Sequence, residues 1–171
     1  LTNMETSYIF KEFFDRTLDI NYYESRSDNR FVDISKRENY LFNSSINGIE
    51  ESDLIFLIGT NPRYEATILN ARIRKSYLNN NIKIYSSNEN GDLTYPYESF
   101  DGQTQTLINI FDGNHDFSNN IINSKKPMIV IGESFLRLNS AEFLYNKILN
   151  FLNKNHKFAD GWNPLNVLSC D

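Results

Sequence analysis

Four consecutive residues, Gly59, Thr60, Asn61 and Pro62, combine residue types and spacing that could hold a ligand. They follow the apolar run 54–58 and precede a segment with helical spacing. A glycine there lets backbone come close to a ligand, Thr60 and Asn61 add short hydrogen-bonding arms, and a helix N-terminus favours anions. The chemistry would be a nucleotide- or pterin-phosphate contact. Local structure also accounts for all four residues: Gly59 makes the turn, Thr60 or Asn61 caps the helix, and Pro62 starts it. Neither Gly-x-Gly-x-x-Gly nor Gly-Lys-Ser/Thr follows, which argues against an ordinary dinucleotide or nucleoside-triphosphate site.

Other reactive types are sparse. Glu50, Glu51 and Asp53 could be read as paired acid/base carboxylates, but they precede the apolar run. That is the end opposite a ligand crevice, so they read as solvated charges. Cys170 is the single cysteine, and His115 and His156 lie far apart in sequence. One thiol and two distant imidazoles make neither a structural zinc site nor an iron–sulfur site. No Ser/His/Asp, Cys/His or two-carboxylate constellation assembles, so independent catalysis has little support. Arg72, Arg74 and Lys75 form a basic cluster after the turn, a partner or anion contact on one reading and a solvated helix face on the other. Together with Arg63 they are candidate interface residues. Tyr95 and Tyr97, around Pro96, are either an interface loop or aromatics packed over a sheet edge. Trp162 reads as a core anchor.

The elements that must position these residues follow from hydropathy. Residues 4–18 carry Ile9, Phe10, Phe13, Phe14 and Leu18 at helical spacing. Residues 19–23 are a short strand candidate. Residues 25–42 read as an irregular loop, with a helical turn near 40–44. The continuous run 54–58 is the pattern of a strand buried on both faces of a parallel sheet. A helix should run from Pro62 to about Leu78, stopped by asparagines 79–81, with a second strand at 82–85 completing a right-handed βαβ unit. Residues 92–101 read as a loop, 104–111 as a short helix, and 128–131 as another buried strand. A last helix is capped at Asn139 or Ser140 and turns Ala141, Leu144, Ile148, Phe151 and Leu152 inward. The tail from 158 begins a further packed element. Strands alternating with helices predict an α/β fold, a three-layer Rossmann-like domain with a mainly parallel sheet.

Composition agrees with one globular domain. The chain has 171 residues, 40% of them hydrophobic and 14% aromatic, enough to argue against disorder. Seventeen Lys+Arg against 22 Asp+Glu give a formal charge of −5, a poor basis for nucleic-acid binding. No apolar run approaches the ~20 residues that cross a bilayer. The first fifteen residues resemble neither a signal nor a transit peptide. Abundant Asn, Ile, Tyr, Phe and Lys point to an AT-rich coding sequence, such as an organelle genome. A start at Leu1 implies trimming, an unusual initiator or an incomplete chain.

Several segments together are similar to the large iron–sulfur subunit of respiratory complex I, the NADH:ubiquinone oxidoreductase. They are Asn39-Tyr40-Leu41-Phe42-Asn43, Gly48-Ile49-Glu50-Glu51-Ser52-Asp53, Gly59-Thr60-Asn61-Pro62-Arg63-Tyr64-Glu65-Ala66, and Asn70-Ala71-Arg72-Ile73-Arg74-Lys75-Ser76-Tyr77-Leu78. Asp92-Leu93-Thr94-Tyr95 and Lys125-Lys126-Pro127-Met128 continue the likeness in the same order. The resemblance implies that residues 1–171 are part of the family's C-terminal, molybdopterin-oxidoreductase-like α/β region, without its iron–sulfur domain. It implies that Gly59, Thr60, Asn61 and Pro62 are a vestigial pterin-type turn, with no cofactor or metal held by this chain. Iron–sulfur clusters and FMN would lie elsewhere in the complex. The implied role is a structural part of the peripheral arm on the mitochondrial matrix side, scaffolding the polypeptide that bears the N-terminal iron–sulfur region. The chain would be a split or shortened subunit, or a fragment of a longer one. The competing readings are a molybdopterin-binding oxidoreductase domain and a free-standing α/β binding protein.

Overall fold

The computed structural model describes residues 3–20, 30–159 and 161–168. In chain order the helices are α1 (Met4–Thr17), α2 (Ser45–Gly48), α3 (Pro62–Glu65), α4 (Thr67–Asn80), α5 (Thr104–Asp112), α6 (Asp116–Asn123), α7 (Glu133–Leu136) and α8 (Ala141–Lys154). The strands are β1 (Leu54–Ile58), β2 (Lys83–Ser86), β3 (Glu98–Ser99), β4 (Pro127–Ile131) and β5 (Leu165–Val167). They form one sheet in the order β3-β2-β1-β4-β5, and every neighbouring pair is parallel. The expected three-layer α/β architecture is therefore present.

The layers follow from strand alternation. Leu54, Phe56 and Ile58 of β1 join Ile129, Ile131, Leu165 and Val167 in one core against α5, α6 and α8. Ile55 and Leu57 point the other way, with Ile84, Met128 and Val130, and pack against Leu69 and Ile73 of α4. All five residues of β1 and of β4 are buried, as expected of strands covered on both faces. Trp162 closes the second core and donates its indole N–H to the Pro127 carbonyl at 3.1 Å.

The edge strand β5 is protected by the chain that precedes α2. Val167 N–H donates to the Leu41 carbonyl, the Asn43 side chain donates to the Leu165 carbonyl at 2.8 Å, and the buried Asn166 accepts from Ser44 N–H at 2.8 Å. Covering the edge this way satisfies groups that would otherwise pair with another chain.

Several expectations are revised. The predicted 4–18 helix is present as α1, but none of its residues is buried, and Tyr8, Ile9, Phe10 and Phe13 are exposed. Of the strand candidate 19–23, residues 19 and 20 are not strand and 21–23 lie outside the described residues. In place of a turn at 40–44, a 3-10 turn spans Arg37–Tyr40 and α2 starts at Ser45. The single helix expected from Pro62 is interrupted at Ala66, whose φ of −150° and ψ of 74° are not helical. It stops where predicted, with Asn81 in the left-handed conformation, a habit of asparagine at helix ends. The short α6, β3 and β5 were not predicted individually. Cys170 lies outside the described residues.

Candidate functional site

The strand order reverses between β1 and β4, so the ligand end of this fold is the space beyond their C-termini. Two glycines there bring the following turns into contact. Gly59 has φ +62°, and a Cβ on it would lie 2.5 Å from the Phe135 backbone nitrogen. A Cβ on Gly132 would lie 2.3 Å from the Thr60 Cβ and 2.6 Å from the Gly59 carbonyl oxygen. Gly132 N–H donates to the Ile58 carbonyl at 2.9 Å, and Ser134 N–H to the Gly59 carbonyl at 3.2 Å. The two turns are thus locked together at the base of the crevice.

Beside them remains a cavity of about 290 Å³, walled by Thr60, Asn61, Glu65, Ser87, Asn88 and Phe135, among others. Its hydrogen bonding centres on Glu65. The Thr60 hydroxyl donates to Glu65 Oε2 at 2.7 Å, and Asn61 N–H donates to Glu65 Oε1 at 3.0 Å. Asn61 caps α3 by accepting from Arg63 N–H at 3.2 Å. The pattern is a capping box displaced by one residue, in which cap and carboxylate satisfy each other's end of the turn. Gly59 N–H is taken by Ser87 Oγ at 3.2 Å. Asn61 and Asn90 side chains reciprocally donate to the carbonyls of Asn90 and Thr60, each at 3.0 Å.

The other candidates fall into three places. Tyr97 and Arg63 support the turn. The Tyr97 hydroxyl accepts from Asn90 N–H at 2.9 Å and donates to the Gly91 carbonyl. Arg63 pairs with Asp92 at 2.7 Å, and its guanidinium, helped by the Thr94 N–H, holds the Asp92 carboxyl below its ordinary value. Tyr95 is only 7% exposed, and its hydroxyl donates to Asn70 Oδ1 at 2.7 Å. Asn70 in turn donates to the Leu93 carbonyl at 3.1 Å. Tyr95 is therefore a core residue that staples the 92–95 loop to α4, and burial pushes its phenol pKa up.

Arg72 and Lys75 lie at the opposite end of the sheet and grip Glu50 at 2.8 and 2.9 Å. The Lys75 and Arg72 hydrogen bonds lower the Glu50 pKa. Arg74 is exposed. The acidic group read as solvated has fixed work as well. Glu51 pairs with Lys126 at 2.6 Å, and Asp53 accepts from the Ser124 hydroxyl and from Lys125 and Lys126 N–H. His115 caps α6, its Nδ1 accepting from Phe117 N–H at 3.1 Å.

Two donors of the turn already serve Glu65, the only charged side chain among the described residues lining the cavity. A bound phosphate would face that carboxylate at close range. Among the described residues, no group of three or more His, Cys, Asp or Glu is placed to hold a metal ion. Glu65 and Asn90 escaped sequence reasoning. The Asn61-x-x-x-Glu65 spacing signalled the first, whereas the role of Asn90 depends on a contact across 29 residues.

Comparison with known proteins bears on this geometry. Residues 1–171 match the family model for molybdopterin oxidoreductase. The chain is 35% identical over 168 residues to the NADH-ubiquinone oxidoreductase 75 kDa subunit of Reclinomonas americana, an alignment covering 98% of this chain and 24% of that protein. It is 37% identical over 137 residues to the mitochondrial NADH-ubiquinone oxidoreductase 78 kDa subunit of Neurospora crassa, covering 79% and 18%. Against the mitochondrial NADH dehydrogenase (ubiquinone) iron-sulfur protein 1 of Solanum tuberosum, identity is 34% over 132 residues, covering 77% and 18%. The chain thus spans about a quarter or less of the length of these curated relatives.

Proposed function

The chain belongs to the molybdopterin oxidoreductase family, and from that premise we propose that it is a non-catalytic structural part of mitochondrial respiratory complex I. Its place would be the matrix-side peripheral arm, against the polypeptide that carries the N-terminal iron–sulfur region. There it would help hold the clusters at electron-transfer distance and away from water, while NADH oxidation and ubiquinone reduction belong to the assembly. The likeness to 75 and 78 kDa subunits supports the assignment to that complex. The observation that carries the non-catalytic reading is the Glu65 carboxylate seated on the Thr60 and Asn61 donors. A pterin dinucleotide needs such donors for its phosphates, and this chain spends them on its own side chain.

Native electrophoresis followed by mass spectrometry tests the assignment. The chain is expected to co-migrate with NADH-dehydrogenase activity, and consistent separation from that activity refutes it. The second reading, a molybdopterin-binding oxidoreductase domain, is favoured by the family match alone. Stoichiometric molybdenum or tungsten in the purified protein would establish it and remove the scaffold reading.

A further inference from the structure

We infer that the outward face of α4 seats an amphipathic helix of an adjoining polypeptide, one whose apolar stripe is flanked on both sides by acidic residues. The inference rests on the reading above, in which the chain is one part of an assembly, and states the chemistry of its neighbour.

The helix has two faces with different registers. Leu69, Asn70, Ile73 and Ser76 are buried on the inner one. On the outer one Ile68, Ala71, Lys75 and Leu78 are spaced by three, four and three residues, the a and d positions of a coiled-coil heptad. All four are exposed, Ile68 at 70% and Leu78 at 68%. Among the described residues, no other large apolar side chain of α4, α5, α6 or α8, the helices that cover the sheet, is exposed as much. The outer stripe is about 15 Å long, and an apolar stripe at this spacing is the seam through which one helix meets another.

Charge on the flanks chooses the occupant. In the same register Arg72 stands at e and Arg74 at g, the positions whose charges set partner choice. No Asp or Glu occurs in α4. Glu50 answers both Arg72 and Lys75, so one carboxylate serves two cations. Arg74 makes no ion pair among the described residues, and its charge reaches only Asp92, which Arg63 already holds. The face thus keeps a positive excess on a chain of formal charge −5. A second copy of this chain does not suit it, because two α4 seams would set arginine against arginine with no carboxylate on either helix. Acidic residues on both flanks of the partner answer both arginines whichever way that helix runs. The inner face already holds α4 helical, so only the partner has to be ordered on binding.

The test uses the full 171-residue chain and two fluorescent synthetic peptides of three heptads with leucine at every a and d position. One peptide has glutamate at e and g, the other lysine. Fluorescence anisotropy at physiological salt should show saturable binding of the glutamate peptide, weakened as salt rises, and little or none of the lysine peptide. Changing Ile68→Gln and Leu78→Gln together, at positions the fold leaves exposed, should weaken the glutamate peptide by about tenfold or more. Arg74→Glu should weaken it by about twofold to fivefold and strengthen the lysine peptide, a reversal that a general loss of structure does not produce. Equal binding of the two peptides, or glutamate-peptide binding indifferent to the double change, would overturn the inference. So would a dimer of the parent chain in sedimentation equilibrium that the double change abolishes, since the seam would then take a second copy. If the double variant does not fold, the peptide comparison and the Arg74→Glu reversal decide. A chain that separates from NADH-dehydrogenase activity but prefers the glutamate peptide loses its place in complex I and keeps the seam. Co-migration without that preference keeps the place and loses the seam.

Discussion

Three alanine substitutions at glycines separate backbone strain from close approach at the candidate site. Gly113 has φ +83° with nothing within 4 Å of a built Cβ, so Gly113→Ala meets only the left-handed backbone. That conformation costs an L-residue about 1–2 kcal/mol, partly offset by about 0.4–1 kcal/mol because alanine stiffens the unfolded chain. The expected net loss is about 1 kcal/mol. Gly132 has φ −104°, which alanine accepts, but its Cβ would lie 2.3 Å from Thr60 Cβ and 2.6 Å from the Gly59 carbonyl oxygen. Overpacking of this kind costs about 1–3 kcal/mol. Gly59 carries both penalties, since φ is +62° and its Cβ would meet the Phe135 backbone 2.5 Å away. Gly59→Ala should therefore lose about 2–4 kcal/mol, on the order of 10 °C in melting temperature for a chain of this length. Urea denaturation followed by the fluorescence of Trp162, the single tryptophan, gives all three values. If Gly59→Ala lies within about 0.5 kcal/mol of Gly113→Ala, the scatter ordinary for surface changes, the two turns are not locked together.

Asp53 makes stability depend on acid. Burial alone would raise its carboxyl, but the Ser124 hydroxyl and the Lys125 and Lys126 N–H groups outweigh that and hold it below its ordinary value. A depressed folded pKa contributes stability above the unfolded value of about 3.9, and the contribution is lost as pH falls through the folded value. Asp53→Asn should cost about 1 kcal/mol at neutral pH and flatten the loss of stability below about pH 4. Urea midpoints from pH 6 downward check this, and parallel curves for parent and variant count against it. Asn70→Ala should cost about 2–4 kcal/mol, because it strands the buried Tyr95 hydroxyl and the Leu93 carbonyl. Adding Tyr95→Phe should then cost less than it does in the parent chain, and strict additivity of the two changes would show that the staple is absent.

Legibility in the sequence followed the range of the interaction. The run 54–58 announced a strand covered on both faces because five consecutive apolar residues have no other economical use in so short a segment. Pro62 and the asparagines at 79–81 marked helix limits through backbone chemistry within one turn, and Asn81 does adopt the left-handed conformation. Fold class and family were readable for the same reason. The strand order was not, since β5 has three residues and owes its place to pairing with β4 and to residues 41–44 far away in the chain. Nor could sequence decide between a packed and an exposed Tyr95, a choice made by Asn70 across 25 residues. The same holds for the turn at Gly59. Residues 59–62 determined by themselves that a strand turns into a capped helix there. Only the tertiary structure brought Gly132, Ser87 and Asn90 against that turn. Caps and turns are settled by neighbours a few bonds away, whereas the character of a crevice depends on what distant packing places on its walls.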